Sequence, residues 1–174
     1  MKPFFIGLIV GWVVLPVAAL LYLRFGYVPV AVDGPVIPFE ELLAGTAVQA
    51  RIAREAPTKP GLPATEDNLI AGAKIYREHC VDCHGLPGGT PSPAAKGMYP
   101  PPPQFFDQKT FGNEQVGQDY WIVANGIRLT GMPGYKPTLS DEQLWQVSQF
   151  VINRGKLPEG ARDRKSTRLN SSHI

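Results

Sequence analysis

Twenty consecutive residues near the start of the chain, from Phe4 to Leu23, carry no charged side chain. At about 1.5 Å of rise per residue, a helix of this length spans the ~30 Å hydrocarbon core of a bilayer. The run therefore predicts a transmembrane anchor within residues 1–25. A cleaved signal peptide, with small residues at 17–19 as its cleavage site, is the alternative. The apolar run is longer than a usual signal core and continues past that site, which favours the anchor.

Residues 26–64 join this segment to the rest of the chain. Residues 26–38 are rich in proline, which favours extended backbone and predicts a semi-rigid spacer. From Phe39 to Ala53 apolar residues recur at helical spacing, which predicts a short amphipathic helix. We expect that helix to pack on the following domain or on the anchor, and binding of a partner is the less favoured alternative. Residues 56–64 are predicted to be a second spacer.

The composition limits both the fold and the partners. With 18 glycines and 18 prolines among 174 residues, the chain is expected to be rich in loops rather than to form an idealised helical bundle. Two cysteines cannot form a disulfide framework. A formal net charge of +2 gives no electrostatic footprint for nucleic acid, so no nucleic-acid partner is expected.

The last residues of the chain, 163–174, resemble the translation of a common sequencing-adapter oligonucleotide. A segment of this kind is left out of fold reasoning. A basic, serine-rich disordered tail is the alternative interpretation. The segment contains three basic side chains and one acidic side chain, so it accounts for the whole net charge of +2. Residues 1–162 are neutral.

The stretch Cys80-Val81-Asp82-Cys83-His84 carries the most chemical information in the chain. C-x-x-C-H is the attachment signature of c-type haem. Two thiols three positions apart on a helical turn reach the two vinyl groups of one porphyrin, and the next imidazole comes under the iron. Cys80 and Cys83 are therefore predicted to form thioether bonds to one haem c, with His84 as the proximal iron ligand.

Two other uses of this stretch fit less well. A thioredoxin-like dithiol site follows a strand in a βαβ unit, whereas the residues before Cys80 have a helical pattern. A zinc site needs four ligands, and apart from the motif itself and the suspect tail only His79 remains.

A haem iron that carries electrons needs a sixth ligand, and a methionine thioether favours the reduced iron. Met132 lies in a stiff Gly-Met-Pro-Gly turn far enough along the chain to approach the opposite face of the ring. Met98 lies only fourteen residues after His84, in a loop rich in glycine and proline. Met132 is the favoured ligand, and Met98 is expected to fill space in the core.

Residues 65 to about 157 resemble a class I c-type cytochrome of the membrane-anchored monohaem type, similar to the c-type (subunit III-like) domain of bacterial cbb-type haem-copper oxidases. Besides the haem motif, the match rests on a small and an aromatic residue in the first helix, two partners in the last helix, and a middle helix with its methionine loop: Gly72, Tyr76, Val147, Phe150 and residues 121–133. The resemblance implies a mainly α fold, with an N-terminal transmembrane helix and a small cytochrome c domain, residues 65–162, of three to five helices wrapped around covalent haem.

The local sequence agrees with helices at these places. Thr65 is a suitable N-cap for a helix with an acidic first turn. Ser140 and Gln143 form a capping-box pattern at the start of the last helix, and Gly155 is expected to end that helix as its C′ residue. No alternating apolar run predicts a sheet.

The resemblance also implies further contacts to the haem. In the family a proline carbonyl accepts a hydrogen bond from the proximal imidazole, and any proline of the run 100–103 can supply that carbonyl. Pro101 and Pro102 are also expected to contact the haem. Trp121 and Arg128, together with Tyr99, are candidate contacts of the haem propionates. Ordinary packing or solvent exposure is the alternative for these three side chains.

The function implied is that of a periplasmic, membrane-tethered single-electron carrier, not an enzyme, with redox proteins as partners and no small-molecule substrate. Lys2 and Arg24 flank the apolar run and leave its orientation open. Covalent haem c is made in the periplasm, so the expected location is the bacterial inner membrane, single-pass through residues 4–23, with the haem domain outside. The alternatives are a haem c subunit of a dehydrogenase or oxidase complex and, less favoured, a haem-based gas sensor.

Overall fold

The computed structural model describes residues 2–106, 115–155 and 157 of the chain. Its described part contains helices and no strand, which confirms the predicted mainly α class. The helices, in chain order, are α1 (Lys2–Arg24), α2 (Glu40–Glu55), α3 (Glu66–His79), α4 (Val81–His84), α5 (Pro93–Lys96), α6 (Val116–Asn125) and α7 (Asp141–Ile152). The predicted end of the haem domain at residue 162 and the tail 163–174 lie outside the described residues.

The first compact unit runs from Met1 to Leu42 and contains α1. Within the described residues, Pro3–Arg24 is the one helix that is long and apolar enough to cross a membrane, with a mean hydropathy of 2.6. Its large apolar side chains are exposed, for example Trp12 and Leu15. A signal sequence near the N-terminus can meet the same criteria of length and hydropathy, so the choice between anchor and signal peptide stays a prediction.

The second compact unit starts at Leu43, within α2, and contains the rest of that helix and α3 to α7. The predicted N-cap of α3 is confirmed, because the Thr65 hydroxyl accepts a hydrogen bond from the backbone N–H of Asn68 at 3.3 Å. The predicted capping box of α7 is also confirmed: Ser140 accepts from the N–H of Gln143 at 3.2 Å, and the Gln143 side chain accepts from the N–H of Ser140 at 2.9 Å.

The prediction that Gly155 is the C′ residue that ends α7 is wrong by one position. The helix ends at Ile152, with Asn153 as its C-cap. The Asn153 side-chain amide donates to the carbonyl oxygen of Gln149 at 2.8 Å. An asparagine that satisfies a late helix carbonyl in this way closes the helix before the glycine is reached.

The core of this unit is the crossing of α3 and α7. Gly72 lies directly against the backbone carbonyl of Gln146, and the rings of Tyr76 and Phe150 are 5.3 Å apart. Tyr76 and Phe150 are 1 % and 0 % exposed. The predicted pairing of a small and an aromatic residue in the first helix with the last helix is thus confirmed.

The segment 56–64, predicted to be a second spacer, is packed on this core. A Cβ at Gly61 would overlap the indole of Trp145 in α7, and a Cβ at Gly117 in α6 would overlap the carbonyl of Pro57. The Gln149 side chain donates to the carbonyl oxygen of Leu62 at 2.8 Å. Two glycines therefore let this segment approach α6 and α7 closely.

Candidate cofactor site

One cavity of about 230 Å³ opens among α3, α4, α6, α7, the proline segment 100–103 and the loop 127–133. Cys80, Cys83, His84 and Met132 all line it, so the structure brings the four principal predicted site residues together. Its other walls are largely apolar, with Ile122, Val123, Val147 and Val151 among them. A cavity of this size with walls of this kind fits a bulky apolar group.

The attachment motif follows directly from the end of α3. Cys80 is the C-cap of α3, and the short helix α4 begins after it. The N–H of His84 donates to the carbonyl oxygen of Cys80 at 2.9 Å, which makes this stretch one helical turn. Residues three apart on a turn lie on the same side, so both cysteines face the cavity.

Neither cysteine is in a disulfide. Burial, and to a smaller extent the neighbouring Cys83, raises the pKa of the Cys80 thiol to about 12, so this thiol is protonated at neutral pH. Among the described residues no group of three or more His, Cys, Asp or Glu side chains is placed to hold a metal ion. Two free thiols on an apolar wall fit covalent attachment of a macrocycle.

His84 is buried, with 8 % of its surface exposed. Its Nδ1 lies 2.8 Å from the carbonyl oxygen of Pro103, and the ring of Phe105 stacks on the imidazole at 4.3 Å and 16°. Burial lowers the pKa of His84, and the hydrogen bond to Pro103 opposes this shift. A carbonyl only accepts, so the neutral ring carries its proton on Nδ1 and keeps Nε2 available as a ligand.

The proline that accepts this hydrogen bond is the last of the run. Pro100, Pro101 and Pro102 line the cavity beside it. Four consecutive prolines offer four similar carbonyls, so the sequence did not distinguish them. The stacked ring of Phe105 was missed altogether, and its place two residues after the proline run was the only available signal.

Both methionines of this unit line the cavity. The loop that carries Met132 is held by its own hydrogen bonds: the N–H of Met132 donates to the Thr130 hydroxyl at 3.1 Å, and the N–H of Ile127 donates to the carbonyl of Met132 at 3.1 Å. The sulfur of Met98 lies beside Gly131, 2.6 Å from the position that a Cβ would take there. Met98 thus packs against the methionine loop.

The three candidate propionate contacts, Tyr99, Trp121 and Arg128, are all described and are not among the residues that line the cavity. The indole N–H of Trp121 donates to Glu55 at 3.2 Å, and Glu55 also pairs with Arg51 at 2.8 Å. Arg128 is exposed to solvent, next to Leu129, which is 93 % exposed.

Residues 67–151 match the family described as cytochrome c oxidase, cbb3-type, subunit III. These residues include the attachment motif, the proline run, the Met132 loop and both crossing helices. Residues 67–151 form a c-type cytochrome domain. The cofactor of such a domain is one covalent haem c, which agrees with the two free thiols, the neutral imidazole and the apolar walls of this cavity.

Three relatives of known name align with the chain. Quinohemoprotein alcohol dehydrogenase ADH-IIG of Pseudomonas putida is 30% identical over 139 residues, which are 79% of this chain and 17% of that protein. Thiosulfate dehydrogenase of Allochromatium vinosum is 32% identical over 89 residues, 50% of this chain and 32% of that protein. A cytochrome c6-like protein of Nostoc sp. is 28% identical over 94 residues, 54% of this chain and 78% of that protein. The chain thus spans less than a third of each of the two dehydrogenases.

Proposed function

We propose that this cytochrome c domain is a single-electron carrier whose haem is attached through Cys80 and Cys83 and ligated by His84 and Met132. The observation that carries the proposal is the buried His84 imidazole, anchored at Nδ1, in the same apolar cavity as the Met132 thioether. Bound haem c supplies a one-electron iron couple, and a methionine ligand favours its reduced form.

The residues around the cavity suit this role because they hold the two ligands still. His84 is fixed by the carbonyl of Pro103 and the ring of Phe105, and Met132 is fixed within a loop closed by hydrogen bonds. Ligands held in the same way in both oxidation states require little rearrangement during electron transfer. The apolar walls limit the access of water to the site.

The visible spectrum tests this function. A carrier with both axial positions occupied gives a low-spin reduced haem that does not take up carbon monoxide in the native protein. A gas sensor or catalytic haem protein needs an open or weakly held sixth position. A high-spin reduced spectrum that changes at once on addition of carbon monoxide would overturn the proposed role as an electron carrier.

We further propose that α1 stays in the mature protein as an inner-membrane anchor, with the haem domain in the periplasm. Its length, its mean hydropathy of 2.6 and its exposed apolar side chains support an anchor. A tether raises the effective concentration of the domain near membrane partners without any specific contact. The intact mass of the protein extracted from membranes tests this proposal, because a mass that lacks the first residues, or recovery in the soluble fraction, contradicts it.

A second candidate function is that of a haem c subunit within a dehydrogenase or oxidase complex. It is supported by the names of two relatives, both dehydrogenases, and by the oxidase-subunit family that residues 67–151 match. Gentle solubilisation of membranes followed by purification of the tagged chain decides between the two. Stoichiometric recovery of a dehydrogenase or oxidase subunit supports the complex, whereas recovery of the chain alone supports a free carrier.

A further inference from the structure

Gln104 is the residue between the two that hold the His84 ring. Its side-chain amide donates to the carbonyl oxygen of Cys83 at 2.9 Å and to that of Pro102 at 3.1 Å. One side chain therefore connects the proline segment to the attachment turn α4, and Gln104 reaches back 21 positions to Cys83. We call these two hydrogen bonds the Gln104 bridge.

The backbone around Gln104 leaves room for this bridge. Gly85, which directly follows His84, has a φ of +72° and packs against the Gln104 side chain. A Cβ at Gly85 would lie 2.6 Å from the Gln104 Oε1. The absence of a side chain at position 85 thus lets the glutamine reach the attachment turn.

The neighbours of Gln104 both contact the imidazole. The Pro103 carbonyl accepts from the His84 Nδ1 at 2.8 Å, and the Phe105 ring stacks on the imidazole at 4.3 Å. Residues 102–105 therefore lie alongside the attachment turn as one continuous segment. Besides these two contacts of the His84 ring, the hydrogen bond from the Gln104 side chain to the Cys83 carbonyl attaches the segment to α4.

We propose that Gln104 is a positioning residue that fixes the His84 imidazole through Pro103 and Phe105, and so helps to set the reduction potential of the domain. The inference rests on the proposed role of His84 as an iron ligand. A firm hydrogen bond from Nδ1–H to a carbonyl makes the imidazole a more basic ligand, which favours the oxidised iron. Loss of the bridge loosens that hydrogen bond, and the reduced iron becomes more stable relative to the oxidised iron.

The test is Gln104→Leu in the full holoprotein, since leucine has a similar size and no amide. We expect the equilibrium constant for reduction to rise about three- to tenfold, or about 30–60 mV at 59 mV per tenfold for one electron. The nuclear magnetic resonance signals of the His84 ring protons should shift, while the near-infrared methionine–iron band stays. The matched control is Gln49→Leu on the exposed surface of α2, which should change neither quantity. An unchanged potential with unchanged His84 signals in the Gln104 variant would overturn the proposal.

A second measurement uses the unaltered protein and does not depend on the variant folding. The side-chain amide protons of Gln104 should exchange with solvent at least tenfold more slowly than those of the exposed Gln49. Equal exchange rates would show that the bridge does not persist in solution and would refute the positioning role. A carbon-monoxide-binding, high-spin spectrum of the unaltered protein would instead refute the carrier, so the two failures are distinguishable.

Discussion

Gly72 in α3 presses against the backbone carbonyl of Gln146 in α7, with no room between them for a side-chain atom. A Cβ at this position would also lie 2.8 Å from the Cβ of Phe150. Backbone atoms cannot move aside as the end of a flexible side chain can. The distance between the two helices is therefore set by the absence of a side chain at position 72. Cys80, which caps α3, and Val147 in α7 both line the cavity.

Gly72→Ala should lower the free energy of unfolding by about 3 kcal/mol, because the added methyl group overpacks a backbone contact. Urea denaturation followed by circular dichroism measures this change. Gly45→Ala is the control, since Gly45 lies within α2 with nothing within 4 Å of the added Cβ. The control should be neutral or more stable by up to about 1 kcal/mol. A loss below about 0.5 kcal/mol for Gly72→Ala, within the usual range of surface changes, would contradict the close crossing.

Tyr76→Phe should cost about 1–3 kcal/mol of stability. The Tyr76 hydroxyl donates to the carbonyl oxygen of Gly85 at 2.7 Å, and the side chain is 1 % exposed. Removal of the hydroxyl leaves a carbonyl next to the attachment turn without that donor. Thermal unfolding of the holoprotein measures the loss. Tyr27→Phe, at a side chain that is 69 % exposed, should leave the midpoint unchanged, and equal midpoints for both variants would count against a structural role for the Tyr76 hydroxyl.

Gly117→Ala should detach the segment 56–64 from the haem domain without abolishing haem attachment. A methyl group at Gly117 would overlap the carbonyl of Pro57, so the segment must move away. Hydrogen exchange read by mass spectrometry should show faster exchange in peptides that cover residues 50–64. Gly97→Ala, whose Cβ would meet the carbonyl of Pro93 at an ordinary 3.6 Å, should leave these peptides unchanged. Unchanged exchange in the Gly117 variant would mean that the segment behaves as a free spacer.

Stability above about pH 10 should depend on Tyr120. The hydrogen bond that its hydroxyl donates to Asp141, followed by burial and the charge of Asp141, raises the pKa of Tyr120 from 10.0 to about 12. The folded state therefore favours the protonated phenol. Its contribution to stability is fully present below pH 10, the unfolded value, and is lost as the pH rises towards about 12.

The measurement compares free energies of unfolding of the unaltered protein and Tyr120→Phe across this range. The stability of the unaltered protein relative to the variant should fall between pH 10 and about 12 and stay level below it. A difference that does not vary with pH would contradict the raised pKa. The near-ultraviolet absorbance of the phenolate gives an independent reading of the same titration.

The features that the sequence predicted well are those set by neighbouring residues. The Thr65 cap, the capping box of Ser140 and the attachment turn at Cys80 depend on contacts three or four positions apart. Such contacts depend on residues that are close together in the sequence, so a short sequence pattern is enough to predict them. The pairing of Gly72 with the last helix was predictable only through the resemblance to a known family.

The features that the sequence left open depend on contacts between distant segments. The acceptor for His84 proved to be Pro103, nineteen positions away, and only the three-dimensional course of the proline run selects one carbonyl among four. Trp121 was a candidate haem contact, yet its indole N–H meets Glu55, 66 positions earlier in the chain. The packing of residues 56–64 was hidden for the same reason, since Gly61 and Gly117 are informative only once their partners are known.

The ligation of iron by His84 and Met132 is the central claim, and the near-infrared methionine–iron band of the oxidised protein tests it most directly. Met98 and Met132 line the same cavity, so each is the natural control for the other. We predict that Met132→Ala abolishes the band and opens the iron to carbon monoxide in the reduced state, while Met98→Ala keeps the band. Loss of the band in Met98→Ala together with its retention in Met132→Ala would contradict the account.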